Sequence, residues 1–186
     1  MRLYLVRHAK PVVAPDICYG RTDLLVLPER QVDTAAALIS ALPEHVPMFS
    51  SPLQRCAELA ACLAQELHCG APVYDSRLAE MDFGAWEMRA WKDISRSEID
   101  AWADDMAGYR PGGGESVIQM AQRVRAFHED LMQLRLLQDC AIVICHAGTI
   151  RLLLACQSAL SLAEMALHAA QTSHKIAYGE VIILDC

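Results

Sequence analysis

The sequence predicts a three-layer α/β sandwich: a mostly parallel central sheet flanked by helices, with a small helical insertion at about 86–112 lying over a cleft. Two observations carry this. Short β-prone runs alternate with stretches of helical apolar spacing along the whole chain. The run Asp139-Cys140-Ala141-Ile142-Val143-Ile144-Cys145 is continuously apolar after its first residue, as a parallel strand covered on both faces should be. With 186 residues at 54% hydrophobic, the chain is long enough for one well-buried core and short for two, so one domain over 1–186 is expected.

Taken in order, Leu3-Tyr4-Leu5-Val6 is the first strand; it stops at Arg7 and His8, and Ala9, Lys10 and Pro11 turn the chain away. The stretch 11–28 is polar and turn-rich, contains Cys18-Tyr19-Gly20-Arg21-Thr22-Asp23, and exceeds the usual strand-to-helix link, a length that often marks function. Apolar spacing over Val32, Ala35, Ala36, Leu38, Ile39 and Leu42 predicts a helix at 29–42, stopped by Pro43. A second strand follows at 46–49. Ser50-Ser51-Pro52 is then expected to open a helix running to about His68, with a serine as N-cap, proline near the first turn and Arg55 in that turn.

The segment 71–74 reads as a third strand, and 78–87 has no clean period. Trp86, Trp91 and Trp102, with Met81, Met88 and Met106 interleaved, suggest either a lid over a cleft or an ordinary insertion packing its aromatics on the core. Pro111-Gly112-Gly113-Gly114 reads as a flexible loop, or as a backbone cradle for phosphate. Ser116 and Gln119 form a capping box for a long helix through Leu134. After the strand ending at His146, Ala147-Gly148-Thr149-Ile150 enters an apolar helix, and 181–184 is a last strand.

A net charge of −7 argues against a general polyanion binder, so no nucleic-acid partner is expected and any anion site must be local. Arg7 breaks the opening apolar run too early for a signal peptide or membrane span. The eight cysteines contain no CxxC pair, and Cys62, Cys140, Cys145 and Cys156 sit in apolar segments, which suits reduced thiols in cytoplasm and offers no zinc set.

The strand ends supply the chemistry. His8 and His146 each follow a strand, and in an open α/β sheet ligands bind at the carboxyl ends of strands. Arg55, just inside a helix N-terminus, belongs at the same edge, where helix amides also favour anions. Together with Arg7 they make an electropositive pocket in an acidic chain.

Leu5-Val6-Arg7-His8, Ser50-Ser51-Pro52-Leu53-Gln54-Arg55, Leu78 through Trp86-Glu87, and Cys145-His146-Ala147-Gly148 resemble, in order and over nearly the whole chain, the motifs of the histidine phosphatase (phosphoglycerate mutase-like) superfamily. The resemblance implies that His8 is a nucleophile forming a phosphohistidine, that Arg7, Arg55 and His146 hold phosphoryl oxygens, that Glu80 donates a proton, and that no metal or other cofactor is needed. Cys18-Tyr19-Gly20 with Asp23, and His146 to Arg151, are similar to the α-ribazole phosphatase branch of cobalamin biosynthesis. Tyr19, Gly20 and Ala147 join the phosphate- and substrate-binding candidates, and the expected partner is a small phosphorylated metabolite. The commonest first motif of the family is Arg-His-Gly-Glu-Thr; here Ala9, Lys10 and Pro11 stand in the last three places, removing a hydroxyl and adding a cation. The chain is shorter than the cofactor-dependent mutases, which favours hydrolysis.

Alternatives remain at this level. The first two are a phosphatase of another small phosphometabolite and a mutase-like enzyme. A third is a non-catalytic module that binds phosphoryl ligands. Cys145 to Arg151 also fits CxxGxxR, the phosphate loop of cysteine-dependent tyrosine phosphatases, in its strand-loop-helix context. Against that reading, it leaves Arg7, His8 and Arg55 unexplained, and adjacent strand residues face opposite ways.

Overall fold

The computed structural model describes residues 1–157, 159–172 and 175–186. Strands β1 (Arg2–Arg7), β2 (Met48–Ser50), β3 (Val73–Tyr74), β4 (Cys140–Cys145) and β5 (Val181–Asp185) form one sheet in the order β3-β2-β4-β1-β5. All neighbours are parallel except β5, which runs antiparallel to β1. This is the predicted α/β sandwich.

Alternation along the central strands sorts the two layers. Leu3, Leu5, Ala141, Val143 and Cys145 face a core shared with α4 (Val117–Gln133), α5 (Ala147–Ala155) and α6 (Leu162–Gln171). Val6, Ile142 and Ile144 face the other way, onto α1 (Pro28–Ile39) and α2 (Gln54–Glu66). Because β1 pairs with β4 in a register that sets Arg7 beside Cys145, both strands end at one level, and the His8 N–H donates to the Cys145 carbonyl at 3.1 Å. The Ser51 N–H donates to the Ile144 carbonyl at 3.0 Å, so β2 ends there as well. Three strand ends are thereby aligned.

Several sequence expectations need correction. Ser50 is the last residue of β2, and neither serine caps α2, whose N-cap is Leu53. The free N–H of Gln54 is taken instead by the Asp23 carboxylate at 2.7 Å, a cap supplied from the distant 20–23 loop. Pro52 lies outside the helix, and α2 stops at Glu66. The 111–114 stretch is neither a flexible loop nor a phosphate cradle. It is a tight turn packed backbone to backbone on 82–86: Gly112 has φ +59°, and a Cβ there would lie 2.3 Å from the Phe83 carbonyl oxygen. Helix α6 was not expected, although Ser161 and Glu164 form a capping box at its start.

The segment after β3 has no period because its carbonyls are satisfied from the side. Arg123 on α4 donates to the carbonyls of Arg77, Ala79 and Glu80 at 2.6, 2.7 and 3.2 Å while pairing with Glu115. The insertion folds as short turns and α3 (Arg96–Asp104) around buried Trp86, with Trp91 and Trp102 stacked at 6.3 Å. Among the described residues, no helix is long and apolar enough to cross a membrane.

Candidate active site

Arg7, His8, Arg55 and Glu80 line one cavity of about 250 Å³ at the aligned strand ends, with Pro15, Ile17, Tyr19 and Trp91 completing its wall. The wall is strapped together by an Ile17–Ala90 bridge and by the Trp91 N–H donating to the Asp16 carbonyl at 2.9 Å. Part of the tryptophan-bearing insertion therefore does cover the cleft.

His8 is buried, and its tautomer is fixed from both sides. Nδ1 lies 2.7 Å from the Ala9 carbonyl, an acceptor, so Nδ1 carries the proton. Nε2 accepts from Arg55 Nε at 3.3 Å, so it presents a lone pair. Burial, then the Arg55 charge, pushes the imidazole pKa down to about 3, leaving His8 neutral at physiological pH.

Arg55 is fully buried, and its guanidinium is gripped by backbone. Nη1 donates to the Thr22 carbonyl at 2.8 Å and Nη2 to the Gly20 carbonyl at 2.5 Å. Gly20 thus enters the site through Arg55, by its carbonyl. The 20–22 loop is held in turn by Glu87, whose carboxylate accepts from the N–H groups of Arg21, Thr22 and Phe83 at 2.8, 2.6 and 3.0 Å and from the Thr22 hydroxyl. Burial alone would raise the Glu87 pKa; these donors outweigh it and hold the carboxyl below its ordinary value.

Arg7 reaches the cavity from the end of β1. Its Nη1 donates to the Ile176 carbonyl at 2.5 Å and its guanidinium stacks 3.8 Å from the Tyr178 ring centroid. Its Nε is buried and lacks a hydrogen-bond partner among the described residues. Tyr178 also lies against His8, and its hydroxyl is 2.7 Å from that of Tyr19.

His146 is fully buried, edge-on to His8 with ring centroids 5.0 Å apart. Its Nε2 lies 2.8 Å from the Ser51 hydroxyl. Burial, with His8 and Arg55 nearby, holds it well below the usual histidine range. Glu80 stands at the opening of α5, where its Oε2 accepts from the Gly148 N–H at 3.1 Å. Ala147 and Gly148 border a second, larger cavity, which Glu80 and Tyr19 share with the first.

The structure thus brings Arg7, His8, Arg55, Glu80 and His146 together, with Tyr19 in the wall. Tyr178, Ser51 and the Glu87 latch were not expected. Glu87 followed the aromatic motif and carried a signal of sorts, as an acid among large apolar residues; Tyr178, in the loop before β5, carried none. Cys145, the rival nucleophile, is fully buried on the α4–α6 side of the sheet, and burial raises its thiol pKa well above the ordinary value.

The model of the histidine phosphatase superfamily (branch 1) matches residues 3–179. An adenosylcobalamin/alpha-ribazole phosphatase of Escherichia coli (strain K12) is 29% identical over 162 residues, spanning 83% of this chain and 78% of that protein. Among solved structures, the alpha-ribazole phosphatase from Shigella flexneri superposes with a TM-score of 0.81 at 24% identity, covering 100% of this chain and 90% of that one. A mycobacterial glucosyl-3-phosphoglycerate phosphatase gives 0.77 at 23% identity, covering 89% and 83%. At these identities the two structures speak for the fold.

Proposed function

Because the chain belongs to the histidine phosphatase superfamily, we propose that it is a phosphatase that hydrolyses phosphomonoesters of small metabolites, without a metal, through a phosphohistidine on His8. The observation that carries this is the neutral imidazole of His8, its Nδ1–H on the Ala9 carbonyl and its Nε2 lone pair at the cavity beside Arg55.

In the first step Nε2 attacks phosphorus, the phosphorus–oxygen bond to the alcohol breaks, and Glu80 in its acid form protonates the departing oxygen. In the second, Glu80 as carboxylate takes a proton from water, whose oxygen attacks phosphorus and releases His8 and inorganic phosphate. Arg55 leaves Nε2 to engage the phosphoryl oxygens, and a phosphoryl oxygen is the acceptor that Arg7 Nε lacks. His146 and the Tyr19–Tyr178 hydroxyl pair border the same oxygens. With guanidiniums supplying the positive charge, a metal has no task here; removing one such donor typically costs about 3 kcal/mol in the barrier.

For the natural ester, our reading is α-ribazole 5′-phosphate, supported by the named activity of the Escherichia coli relative. The eight cysteines are free thiols, which suits a cytoplasmic enzyme. The test is turnover of p-nitrophenyl phosphate in EDTA, with trapping of an acid-labile phosphoryl group on His8 by mass spectrometry. Turnover retained by His8→Ala, or abolished by EDTA, overturns the mechanism. In a phosphomonoester panel, preference for an unrelated phosphosugar overturns the α-ribazole assignment alone.

A further inference from the structure

The phosphate cavity opens into a second cavity of about 560 Å³, larger than a phosphoryl group requires and within the range of pockets that enclose small organic molecules. The two meet at Tyr19 and Glu80, which line both. In the reaction above, the leaving oxygen must lie at Glu80, so whatever that oxygen is attached to extends past Glu80 into the larger cavity.

The wall there is chemically specific. Phe83, Ile99, Trp102, Met106, Val117 and Met120 supply rings, branched aliphatics and thioethers, drawn from the insertion and from α4. Its charged members are Glu80 and Arg151. An anionic alcohol such as a glycerate would bring a carboxylate into largely apolar surroundings and beside the Glu80 carboxyl, and desolvating that charge is costly. A flat, uncharged ring system would instead gain from aromatic faces and polarisable methionine sulfur. We propose that the second cavity is a selectivity pocket for the alcohol half of the substrate, and that this half is a bulky, uncharged, aromatic group on a primary alcohol.

This inference rests on the phosphomonoesterase reading and narrows it. Aryl and alkyl esters differ in intrinsic reactivity, so the test uses primary alkyl phosphates: 2-(1-naphthyl)ethyl phosphate, ethyl phosphate and O-phosphoserine, each by kcat/KM, with p-nitrophenyl phosphate as a control for competence. The expected result is a preference of about 100-fold for the naphthylethyl ester over each of the other two. Ala103, an exposed residue of α3 whose side chain borders the pocket, offers a variant that fills the space without disturbing the core. Ala103→Phe should shrink the naphthylethyl-to-ethyl ratio about 10-fold, and Met106→Asp should shrink it as well. Equal kcat/KM values across the esters, a preference for phosphoserine, or ratios unmoved by both variants overturn the inference while p-nitrophenyl phosphate is still turned over. If p-nitrophenyl phosphate and all three alkyl esters are left intact, the phosphatase reading itself falls, and this one with it.

Discussion

The carboxyl of Glu80 occupies the space that a side chain on Gly148 would fill: a Cβ there would lie 2.4 Å from Oε1, while the Gly148 N–H donates to Oε2 at 3.1 Å. The glycine that opens α5 is therefore what lets a carboxyl dock on that helix start. Gly148→Ala should displace Glu80 and leave the rest of the cavity in place. Proton donation matters most when the leaving alcohol is a poor leaving group, so single-turnover cleavage of an alkyl phosphate should slow about 100-fold, with p-nitrophenyl phosphate slowed far less. Equal losses on both esters would remove Glu80 from the donor role.

Glu87 touches no cavity, yet Arg55 depends on it through the carbonyls of Gly20 and Thr22. Glu87→Gln keeps the shape and removes the charge from a carboxylate serving several backbone donors. Hydrogen bonds to charged groups contribute about 1.5–3 kcal/mol each, so a drop of about 2 kcal/mol in unfolding free energy by urea titration is expected. The Ki for inorganic phosphate should rise together with KM, because the loosened loop misplaces a phosphate-binding guanidinium. A variant that loses stability with an unchanged phosphate Ki would make Glu87 purely structural.

How far the sequence carried this picture depends on the range of each interaction. The strand ends were legible because local pattern suffices: an apolar run stopping at Arg7-His8 or at His146 reports both the strand and the cleft it faces. Arg55 and Glu80 were legible through motif spacing. The supports were not, because each links residues far apart in sequence. Asp23 caps α2 across 31 positions, and Arg7 meets the Ile176 carbonyl across 169. Ser51 read as a helix cap since serine before proline usually is one, but β2 claimed Ser50 for its last residue and left the Ser51 hydroxyl to His146. The glycines at 112–114 looked like loop punctuation; only the folded chain brings 82–86 against them.

Cys145 and His8 make opposite demands on mutagenesis. Cys145 faces Leu5, Val143 and Ile150 within the apolar core, and its neighbour His146 points to the site. Cys145→Ala should remain active within a few-fold and lose about 1 kcal/mol for a small buried group, whereas His8→Ala should abolish turnover of every phosphomonoester. The reverse pattern would establish the cysteine mechanism that the CxxGxxR spacing suggests.

The two buried imidazoles also make stability fall with acid. His8 stays neutral in the folded chain down to about pH 3, and His146 is likewise held well below the usual range, while an unfolded histidine takes up its proton near pH 6.5. Below about pH 6.5 the unfolded chain therefore binds more protons than the folded one, and the unfolding free energy drops as pH falls. Each imidazole contributes about 1.4 kcal/mol per pH unit across that window. Urea titrations at pH 7.5 and 5.0 should show the loss, and His8→Asn, which cannot protonate, should recover about 2 kcal/mol of it at the lower pH. The direction is fixed by the sign of the shift, since a histidine stabilised in its charged form would make the fold stronger in acid. If His8→Asn leaves the pH dependence unchanged, His8 is protonated in the folded chain, and a nucleophilic lone pair on Nε2 is lost with its neutral state.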